Sequence, residues 1–376
     1  KVVYGQVVPS PDAPNIAREI VLGTRLPRTI EAYSVSRACA TSTQAMTEAA
    51  MSILVGEIDV AICGGADSLS RPPITYSDHF IEALMTANAA KEPFAKARAF
   101  LDLKPKDFLP KPPALKEPST GLTMGESAEK MARDNHIERA AQDAFAARSH
   151  RRSAAAWEKG IYEAEVMHVA VPPYDEAVSR DGLVRPDTTE EKLAALKPAF
   201  DRRFGTITAG NSSPLTDGAS ALVVMRESTA RDLGFEPLAF VRGWAYAAVD
   251  PAWQMLMGPA FAAARVLERT GLTMADVDLI DMHEAFSAQV LSNLQAFASR
   301  AWAKEHLGQE AEIGEVPDEK LNIHGGSISL GHPFAATGAR QLLTMARELE
   351  RRGGGRALVT QCAAGGMGAA VILERS

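Results

Sequence analysis

Residues 36–65, SRACATSTQAMTEAAMSILVGEIDVAICGG, contain the clearest sign of the fold. Apolar residues recur at helical spacing over 45–54, and Gly56 is typical of a helix end. The apolar run over 60–63 then predicts a short strand that ends at the glycine pair 64–65. A turn, an amphipathic helix and a buried strand therefore follow one another, which is typical of an α/β protein.

The same order of elements returns near the C-terminus. A helical stripe over 339–349 is broken by the glycines 353–355, and an apolar run follows over 357–360. Each predicted strand leads to a cysteine, Cys63 in the first unit and Cys362 in the second. Two similar helix–strand units far apart in one chain predict a duplicated α/β architecture rather than a short-period solenoid.

The segment between these units has a different composition. Prolines alternate with lysines over 104–118, which excludes regular helix and interior strand there. We therefore predict that a loop domain, residues 72–205, is inserted into a first half made of residues 1–71 and 206–236. The second half, residues 237–376, alternates strand and helix patterns. Its predicted elements span 238–243, 259–270, 277–282, 284–298, 320–324, 337–351, 356–362 and 368–374.

Bulk properties exclude several classes of protein. The chain has 376 residues and a formal net charge of −7, and no basic stripe offers itself to nucleic-acid phosphates. Its three cysteines are too few for a disulfide framework and indicate a reducing compartment. No apolar run reaches the ~18 residues that a membrane span requires. We expect a soluble enzyme, cytoplasmic in a bacterium or mitochondrial in a eukaryote.

Cys39 is the first candidate for chemistry. It stands directly before the predicted helix, where unpaired N–H groups and the helix dipole lower the pKa of a thiol and favour the thiolate. The alternative is that Cys39 is a small residue buried at a helix start. Cys63, within a predicted strand, fits that structural interpretation better than a catalytic one.

Three more motifs carry reactive side chains. His332 lies in a glycine-flanked segment, GGSISLGHP at 325–333, and Cys362 precedes the glycine-rich turn AAGGMG. His283 begins the motif His-Glu-Ala-Phe at the end of a predicted strand. Each motif alone has a structural explanation, such as a first-turn helix position for Glu284, but all four elements fall at predicted strand–helix junctions. Such junctions gather on one edge of an α/β sheet, where two thiols and two imidazoles would supply a nucleophile, a base and an acid.

These motifs, in this order, resemble the four motifs of the thiolase family. The segment 211–219 also resembles the family segment that precedes the last strand of the first half. The resemblance covers the chain from residue 1 to residue 376. It implies the thiolase fold, a duplicated five-layer α-β-α-β-α architecture with an inserted loop domain. It also implies that one further strand and helix of the first half precede Lys1.

Within the family, the chain resembles most closely the thiolase β-subunits of trifunctional fatty-acid β-oxidation complexes. His283 stands where Asn is commoner, Ala-Thr-Ser follows Cys39, and the Pro/Lys insertion leads into STGLTMGE at 119–126. This resemblance implies thiolytic cleavage of 3-oxoacyl-CoA by CoA to acetyl-CoA and a shortened acyl-CoA, reversible as a Claisen condensation. A biosynthetic acetoacetyl-CoA thiolase is the alternative within the family.

The resemblance assigns this chemistry to particular residues. Cys39 would carry the acyl group after His332 had drawn off its proton, and Cys362 would protonate the acetyl-CoA enolate. The enolate oxygen would meet His332 and a water held by His283. The oxygen on the Cys39-bound carbon would meet the backbone N–H groups of Cys39 and Ala364. Ala364 stands where Gly is common, so its N–H serves only if its φ is negative.

The resemblance also implies ligands and partners. It places CoA contacts at Met124, Gly125, Ser213 and Phe286. Because the net charge is negative, the CoA phosphates would need local basic residues, for which Arg202 and Arg203 are candidates, with a solvated charge pair as the alternative. CoA is a substrate, so we expect no cofactor and no metal ion. The family pattern implies a homodimer or a dimer of dimers, and a hydratase/dehydrogenase partner subunit. The mixed apolar and basic residues over 100–116 are a candidate contact with that partner or with a membrane surface, and an ordinary surface loop is the alternative.

Two other classes of protein compete with this interpretation. Ketoacyl synthases share the architecture but do not use a second thiol, so the motif around Cys362 distinguishes the two. A non-catalytic CoA-binding or scaffold subunit has no need for Cys39 and Cys362 together.

Overall fold

The computed structural model describes residues 1–111, 116–170, 173–174 and 177–376. Its strands are β1 (Val2–Gly5), β2 (Ala32–Val35), β3 (Val60–Asp67), β4 (Val169–Ala170), β5 (Ala177–Val178), β6 (Gly218–Met225), β7 (Phe240–Ala248), β8 (Leu279–Met282), β9 (Gly355–Ala363) and β10 (Met367–Arg375). Its helices are α1 (Ile16–Gly23), α2 (Thr41–Leu54), α3 (Asp78–Ala89), α4 (Pro93–Arg98), α5 (Met124–Asp134), α6 (Arg139–Glu158), α7 (Glu190–Ala194), α8 (Glu227–Asp232), α9 (Pro251–Gln254), α10 (Gly258–Thr270), α11 (Ser287–Phe297), α12 (Arg300–Leu307), α13 (Ser327–Leu330) and α14 (Thr337–Arg352).

The first sheet has the strand order β2-β1-β3-β6. β1 is parallel to both of its neighbours, and β6 pairs antiparallel with β3. Three of these strands precede the 72–205 segment, whereas β6 follows it. The sheet is therefore completed by a strand that returns from beyond the predicted loop domain. The domain boundaries themselves stay a prediction.

The second sheet has the order β7-β10-β9-β8 and repeats the pairing of the first. β9 is parallel to β8 on one side and antiparallel to β10 on the other. β3 in the first sheet is likewise parallel to β1 and antiparallel to β6. Both β3 and β9 follow the helix of their unit, α2 and α14. This correspondence confirms the predicted duplication.

The helices α2 and α14 pack between the two sheets and form the central layer. Their apolar stripes share one core cluster with inward side chains of both sheets, among them Met46 and Leu342 from the helices and Cys63 and Val359 from the strands. The helices approach closely at Gly338, where a Cβ would lie 2.3 Å from the Oγ1 of Thr43. Only glycine allows this approach without moving a helix.

Further helices cover the outer faces of the sheets. Ala17 and Val21 of α1 pack against Val2 and Tyr4 of the first sheet. Helices α10 and α11 pack against the second sheet, in a core cluster that also contains Leu358 and the helices α5 and α6. The order of layers is therefore α-β-α-β-α, and the five-layer fold predicted from the sequence is confirmed.

The predicted strand over 320–324 is wrong. Leu321 makes only an isolated bridge with Ile280, and Asn322 has a left-handed φ of 46°. The side-chain amide of Asn322 bonds to the backbone N–H and C=O of Met282 at 2.8 and 2.9 Å. The side chain of Asn322 thus makes the hydrogen bonds to the end of β8 that a neighbouring strand was expected to make.

The proline-rich segment 104–118 contains a 3₁₀ turn at Pro105–Phe108 and isolated bridges at Lys111 and Lys116. Its described part has no α-helix and no strand, as its prolines predict. Residues 112–115, which belong to the predicted contact surface 100–116, lie outside the described residues. None of the helices in the described ranges combines the length and the apolarity that crossing a membrane requires.

Candidate active site

Cys39, His283 and His332 come together although they are far apart in the chain. The Sγ of Cys39 and one ring nitrogen of each histidine lie within 4.8 Å of one another. The Nε2 of His332 is 3.1 Å from the Sγ of Cys39, and the two imidazole centroids are 4.2 Å apart. Cys39 also packs in one apolar cluster with Ala363, the residue that follows Cys362. The structure thus brings all four predicted side chains to one place.

These residues do not all occupy strand–helix junctions, so that part of the prediction is wrong. Cys39 lies between β2 and α2, and His283 lies between β8 and α11. His332 instead follows the one-turn helix α13, and Cys362 lies inside β9. The glycine-rich segment after Cys362 turns back into the antiparallel strand β10 and not into a helix.

The backbone before Cys39 is strained. Ala38 has a left-handed φ of 45°, which is uncommon for a residue with a side chain. The hydroxyl of Thr41 holds this turn, since it accepts from the N–H of Arg37 at 2.7 Å and donates to the C=O of Ala38 at 2.6 Å. Such strain is typical of functional sites, where the surrounding contacts hold a residue in an unfavourable conformation.

A second strained residue follows His332. Phe334 has a φ of 23°, and the N–H of the next residue, Ala335, donates to the carboxylate of Asp67 at 2.9 Å. Gly65 lies under the same turn, because a Cβ there would be 2.3 Å from the C=O of Ala335. The end of β3 therefore fixes the turn that carries His332.

The Cys39 thiol is neutral at ordinary pH. Burial raises its pKa to about 11, and the negative charge of Asp67 acts in the same direction. The backbone N–H groups of Ala364 and Cys39 lower the pKa, but by less than burial raises it. The predicted position before a helix is correct, whereas the predicted stabilisation of the thiolate is wrong, because the loss of solvation on burial outweighs the backbone N–H groups that favour the thiolate.

His332 is also neutral. Burial lowers its pKa to about 3, with a further contribution from the positive charge of Arg340. Its Nδ1 lies 2.7 Å from the Oγ1 of Thr337, the first residue of α14. A neutral thiol therefore faces a neutral imidazole, and the pair exchanges a proton only when the sulfur attacks a substrate.

His283 is completely buried beside His332. Its Nδ1 lies 3.1 Å from the Oγ of Ser327, whereas its Nε2 has no hydrogen-bond partner in the described part of the chain. Burial, with smaller contributions from the neighbouring His332 and from the positive charge of Arg340, holds the pKa of His283 well below its usual range. Neither Ser327 nor Thr337 was identified from the sequence, because no motif distinguishes a serine or threonine that contacts an active-site histidine from any other.

Glu284 has a role that its position in the sequence does not reveal. Helix α11 begins at Ser287, so Glu284 does not lie in its first turn. Its buried carboxylate accepts hydrogen bonds from Ser149 at 2.6 Å, Asn322 at 2.8 Å and the N–H of Ile328 at 3.2 Å. Glu284 thus ties the motif that carries His283 to helix α13.

Cys362 and Ala364 form the last part of the site. Burial and the neighbouring Cys39 raise the pKa of Cys362 well above its usual range, so this thiol keeps its proton. Gly365 and Gly366 take the left-handed positions of the hairpin turn, with φ values of 80° and 73°. Ala364 is not among the residues with positive φ, so alanine is accommodated there without strain.

Two of the predicted CoA contacts, Gly125 and Phe286, lie against a residue that was not predicted, Phe200. Its ring occupies the space into which a Cβ at Gly125 would project, and it meets the Phe286 ring edge-on at a centroid distance of 6.2 Å. The N–H of Ser213 donates to the C=O of Ala285 at 2.9 Å. Met124, at the start of α5, packs against the same core. Arg202 and Arg203 follow Phe200 and are exposed.

The donor atoms of Cys39, His283 and His332 are close enough to one another to chelate a metal ion. Cys39 and His332, however, already bond to each other, so their proximity is explained without a metal ion. The expectation of no metal stays a prediction.

The chain is similar to known proteins over its whole length. The family described as "Thiolase, N-terminal domain" matches residues 1–228, and "Thiolase, C-terminal domain" matches residues 235–375. The chain is 52% identical over 374 residues to a 3-ketoacyl-CoA thiolase of Yersinia enterocolitica, with 100% of the chain and 86% of the relative covered. A 3-ketoacyl-CoA thiolase of Yersinia pestis is 53% identical with the same coverage.

Two solved structures are similar over the whole chain. The acetyl-CoA acetyltransferase of Bacillus anthracis superposes with a TM-score of 0.84 at 32% identity, covering 99% of this chain and 86% of that one. The human mitochondrial 3-ketoacyl-CoA thiolase superposes with a TM-score of 0.81 at 28% identity, covering 100% and 87%.

Proposed function

The chain belongs to the thiolase family and is an acyltransferase of acyl-CoA thioesters, and from this premise we propose how its own residues cleave 3-oxoacyl-CoA. The resemblance based on the four motifs is confirmed by the family match over both halves. The single observation that carries the proposed mechanism is the 3.1 Å contact between the Nε2 of His332 and the Sγ of Cys39. Thiolytic cleavage in fatty-acid β-oxidation is the reaction that this contact serves.

The first half-reaction transfers the acyl group to Cys39. His332 takes the thiol proton as the sulfur attacks C3 of the 3-oxoacyl-CoA. The C2–C3 bond then breaks, and its electrons form the enolate of acetyl-CoA. Cys362 donates its proton to that enolate, and acetyl-CoA leaves. The raised pKa of Cys362 suits this role, because the thiol is protonated when the enolate forms.

The second half-reaction returns the acyl group to CoA. The Cys362 thiolate accepts the proton of the incoming CoA thiol, and the CoA sulfur attacks the acyl carbon. The bond to Cys39 breaks, and His332 returns the proton to the Cys39 sulfur. Both cysteines and the histidine end in their starting state, so we expect ping-pong kinetics.

Two oxygens gain negative charge along this path. The oxygen on the Cys39-bound carbon would accept from the N–H groups of Cys39 and Ala364. This assignment is supported by the proximity of both groups to the thiol, whose pKa they lower. The enolate oxygen would accept from His332, protonated at that stage, and from a water held by His283. Losing one such donor typically costs about 2.7–4 kcal/mol in the barrier.

The acetyl adduct on Cys39 is the direct test. Incubation with acetyl-CoA is expected to add one acetyl group by intact mass, and peptide mapping is expected to place it on Cys39. Cys39→Ala should abolish the adduct, whereas Cys63→Ala should keep it. No adduct, or an adduct on Cys63, would contradict the mechanism. A non-catalytic CoA-binding or scaffold subunit predicts no adduct at all.

The biosynthetic acetoacetyl-CoA thiolase is the second candidate. It is favoured by the similarity to the acetyl-CoA acetyltransferase of Bacillus anthracis. The higher identity to 3-ketoacyl-CoA thiolases favours cleavage of longer substrates. The ratio of kcat/KM for a long-chain 3-oxoacyl-CoA to that for acetoacetyl-CoA distinguishes the two, and a ratio well below one would favour the biosynthetic enzyme.

The CoA moiety would lie along Gly125, Phe200 and Phe286, with Ser213 nearby and Arg202 and Arg203 towards the phosphates. Removing both arginine charges is expected to raise KM for CoA with little change in kcat, because these side chains would bind substrate and transition state alike. We further propose a homodimer or a dimer of dimers, which sedimentation analysis tests. The bacterial relatives and the three free cysteines favour the bacterial cytoplasm as its compartment.

A surface of α3, α4 and the following turn is the proposed contact with a hydratase/dehydrogenase subunit. It exposes three large apolar side chains that a partner subunit would cover, Met85 (67%), Phe94 (79%) and Leu101 (75%). Deleting 104–116, or changing Phe94 to Ser, is expected to reduce co-elution with that subunit. Leu233→Ser, at an equally apolar but separate exposed position, is the matched control. Unchanged co-elution of both variants would contradict the proposal.

A further inference from the structure

The two imidazoles of the active site each bond to a hydroxyl through Nδ1, but the hydroxyls have different surroundings. His332 Nδ1 lies 2.7 Å from Thr337 Oγ1, and its Nε2 faces Cys39. His283 Nδ1 lies 3.1 Å from Ser327 Oγ, and its Nε2 is free of partners in the described part of the chain. Which nitrogen carries the proton follows from these contacts.

For His332, the proposed reaction determines which ring nitrogen carries the proton. Its Nε2 must offer a lone pair to accept the proton of Cys39, so the single N–H of the neutral ring lies at Nδ1. The Oγ1 of Thr337 is then the acceptor of that N–H. His332 therefore has the Nδ1–H tautomer before the reaction begins.

For His283, the surroundings of Ser327 determine which ring nitrogen carries the proton. Ser327 is fully buried, so its hydroxyl hydrogen needs an acceptor. Its other side-chain contact is the guanidinium of Arg340 at 3.5 Å, and a guanidinium only donates. Within the described residues, the Nδ1 of His283 is then the one side-chain acceptor in hydrogen-bond contact with this hydroxyl. Ser327 must therefore donate to Nδ1, which leaves the proton of His283 at Nε2.

We propose that Ser327 is a positioning residue that holds His283 in the Nε2–H tautomer, opposite to that of His332. This inference rests on the proposed function, which makes His332 the base. Two adjacent imidazoles, tilted by 46° to each other, then present different groups to the site: His332 presents a lone pair to the Cys39 thiol, and His283 presents an N–H to the enolate side. Arg340 supports the assignment because its charge disfavours a second proton on either ring.

The buried and unpartnered Nε2 of His283 is the second observation behind this inference. A buried N–H without an acceptor is costly, so an unpaired donor in a site indicates a group that is satisfied by the substrate or by a bound water. The opposite tautomer would place a lone pair there, which cannot donate a hydrogen bond to the oxygen of the water that meets the enolate. The tautomer therefore decides whether His283 donates to that water or accepts from it.

The test is a nitrogen NMR spectrum of the full chain labelled with ¹⁵N-histidine. The His283 signals are assigned by their loss in His283→Asn. We expect a proton-bearing Nε2 and an unprotonated Nδ1 in the wild type, and a mixture of tautomers in Ser327→Ala. A wild-type spectrum with the proton at Nδ1 overturns the proposal, whatever the outcome of the acetyl-adduct experiment, so the two can fail separately.

Kinetics supply the second readout. Ser327→Ala is expected to lower kcat for thiolysis by about 10–100-fold, the range found for residues that orient a metal-bound histidine, with KM nearly unchanged. Ser327→Thr keeps the hydroxyl and should restore most of kcat. The matched control is Ser329→Ala, which removes an equally buried hydroxyl of α13 that contacts Ser149 and Ser153 and no histidine. Equal kcat for Ser327→Ala and the wild type, or equal losses for both alanine variants, overturns the proposal.

Discussion

The Oγ1 of Thr337 lies 2.7 Å from the Nδ1 of His332, so the residue that opens the central helix α14 also orients the imidazole that faces Cys39. Replacing Thr337 by Val keeps the shape and removes the acceptor of the Nδ1–H. We expect the rate of Cys39 acetylation to fall about 10–100-fold, as for residues that orient a metal-bound histidine. Rapid-quench intact mass with acetyl-CoA measures this rate.

Thr344→Val is the control for that change. Thr344 lies on the same helix, is equally buried and donates to Glu165 at 2.6 Å, with no contact to either active-site histidine. The control should acetylate at nearly the wild-type rate. If the two valine variants acetylate equally slowly, the loss reflects the helix and not the orientation of His332.

The ionisation of Cys39 leads to a second prediction. Because burial raises its pKa to about 11 while that of His332 is lowered to about 3, the resting pair carries no charge. Alkylation of Cys39 by iodoacetamide should therefore be slow at pH 7 and should keep accelerating above pH 9, since the thiolate is the reactive form. Mass mapping of alkylated Cys39 across this range measures the profile. A rate that is already maximal near pH 7 would show a thiolate–imidazolium pair instead.

The sequence predicted the architecture of the site better than its electrostatics. Cys39, His283, His332 and Cys362 are visible because each lies in a distinctive motif, and the duplicated pattern of helices and strands predicts the layers. The pKa of Cys39 could not be predicted, because it depends on how much solvent the second half removes from the thiol. Ser327 and Thr337 were not predicted for a related reason, since hydroxyls at helix starts are common and only the folded contact gives them a role.

Glu284 gives a third prediction, on stability and activity together. Its carboxylate accepts from three donors, Ser149, Asn322 and the N–H of Ile328. Glu284→Gln would turn an amide N–H towards one of them, and a mispaired buried polar group costs about 1–3 kcal/mol. We expect the free energy of unfolding in urea to fall by that amount. We also expect kcat to fall, because Ile328 adjoins Ser327.

The effect of Glu284→Gln depends on whether the Glu284 carboxyl is ionised in the folded chain. Burial raises its pKa, whereas the bonds from Ser149, Asn322 and Ile328 oppose that rise. If Glu284 carried its proton in the folded chain, glutamine would imitate it and neither stability nor kcat would change. Unchanged values for Glu284→Gln would therefore contradict the ionised state.

His150 predicts how stability depends on pH. It is 7% exposed and its Nδ1 accepts from the N–H of Arg185 at 3.2 Å. Burial lowers its pKa to about 4, with a further contribution from Arg185. Between this value and the unfolded pKa near 6.5, only the unfolded chain binds the proton, so stability is full above about pH 6.5 and falls as the pH falls. At pH 5, the lowered pKa of His150 reduces the free energy of unfolding by about 2 kcal/mol at most, relative to its value above pH 6.5.

His150→Gln isolates this contribution, because glutamine can still accept from the N–H of Arg185. The loss of unfolding free energy between pH 7 and pH 5 should be smaller in the variant than in the wild type. The buried His283 and His332 act in the same direction in both proteins, so they cancel in the comparison. Identical losses would mean that His150 has an ordinary pKa.

The last prediction concerns Cys63, a thiol that is buried like Cys39 but is expected to take no part in the reaction. It is fully buried in β3, its Sγ lies 3.7 Å from the C=O of Leu222, and burial raises its pKa to about 12. Unlike Cys39, it has no imidazole in hydrogen-bond contact within the described ranges, and the Leu222 carbonyl is not a base that could remove its proton. Cys63→Ala should therefore keep kcat and the acetyl adduct while losing about 1 kcal/mol of unfolding free energy, the usual size for a small core truncation. A loss of the adduct without a loss of stability would place Cys63 in the reaction and would require a different role for Cys39.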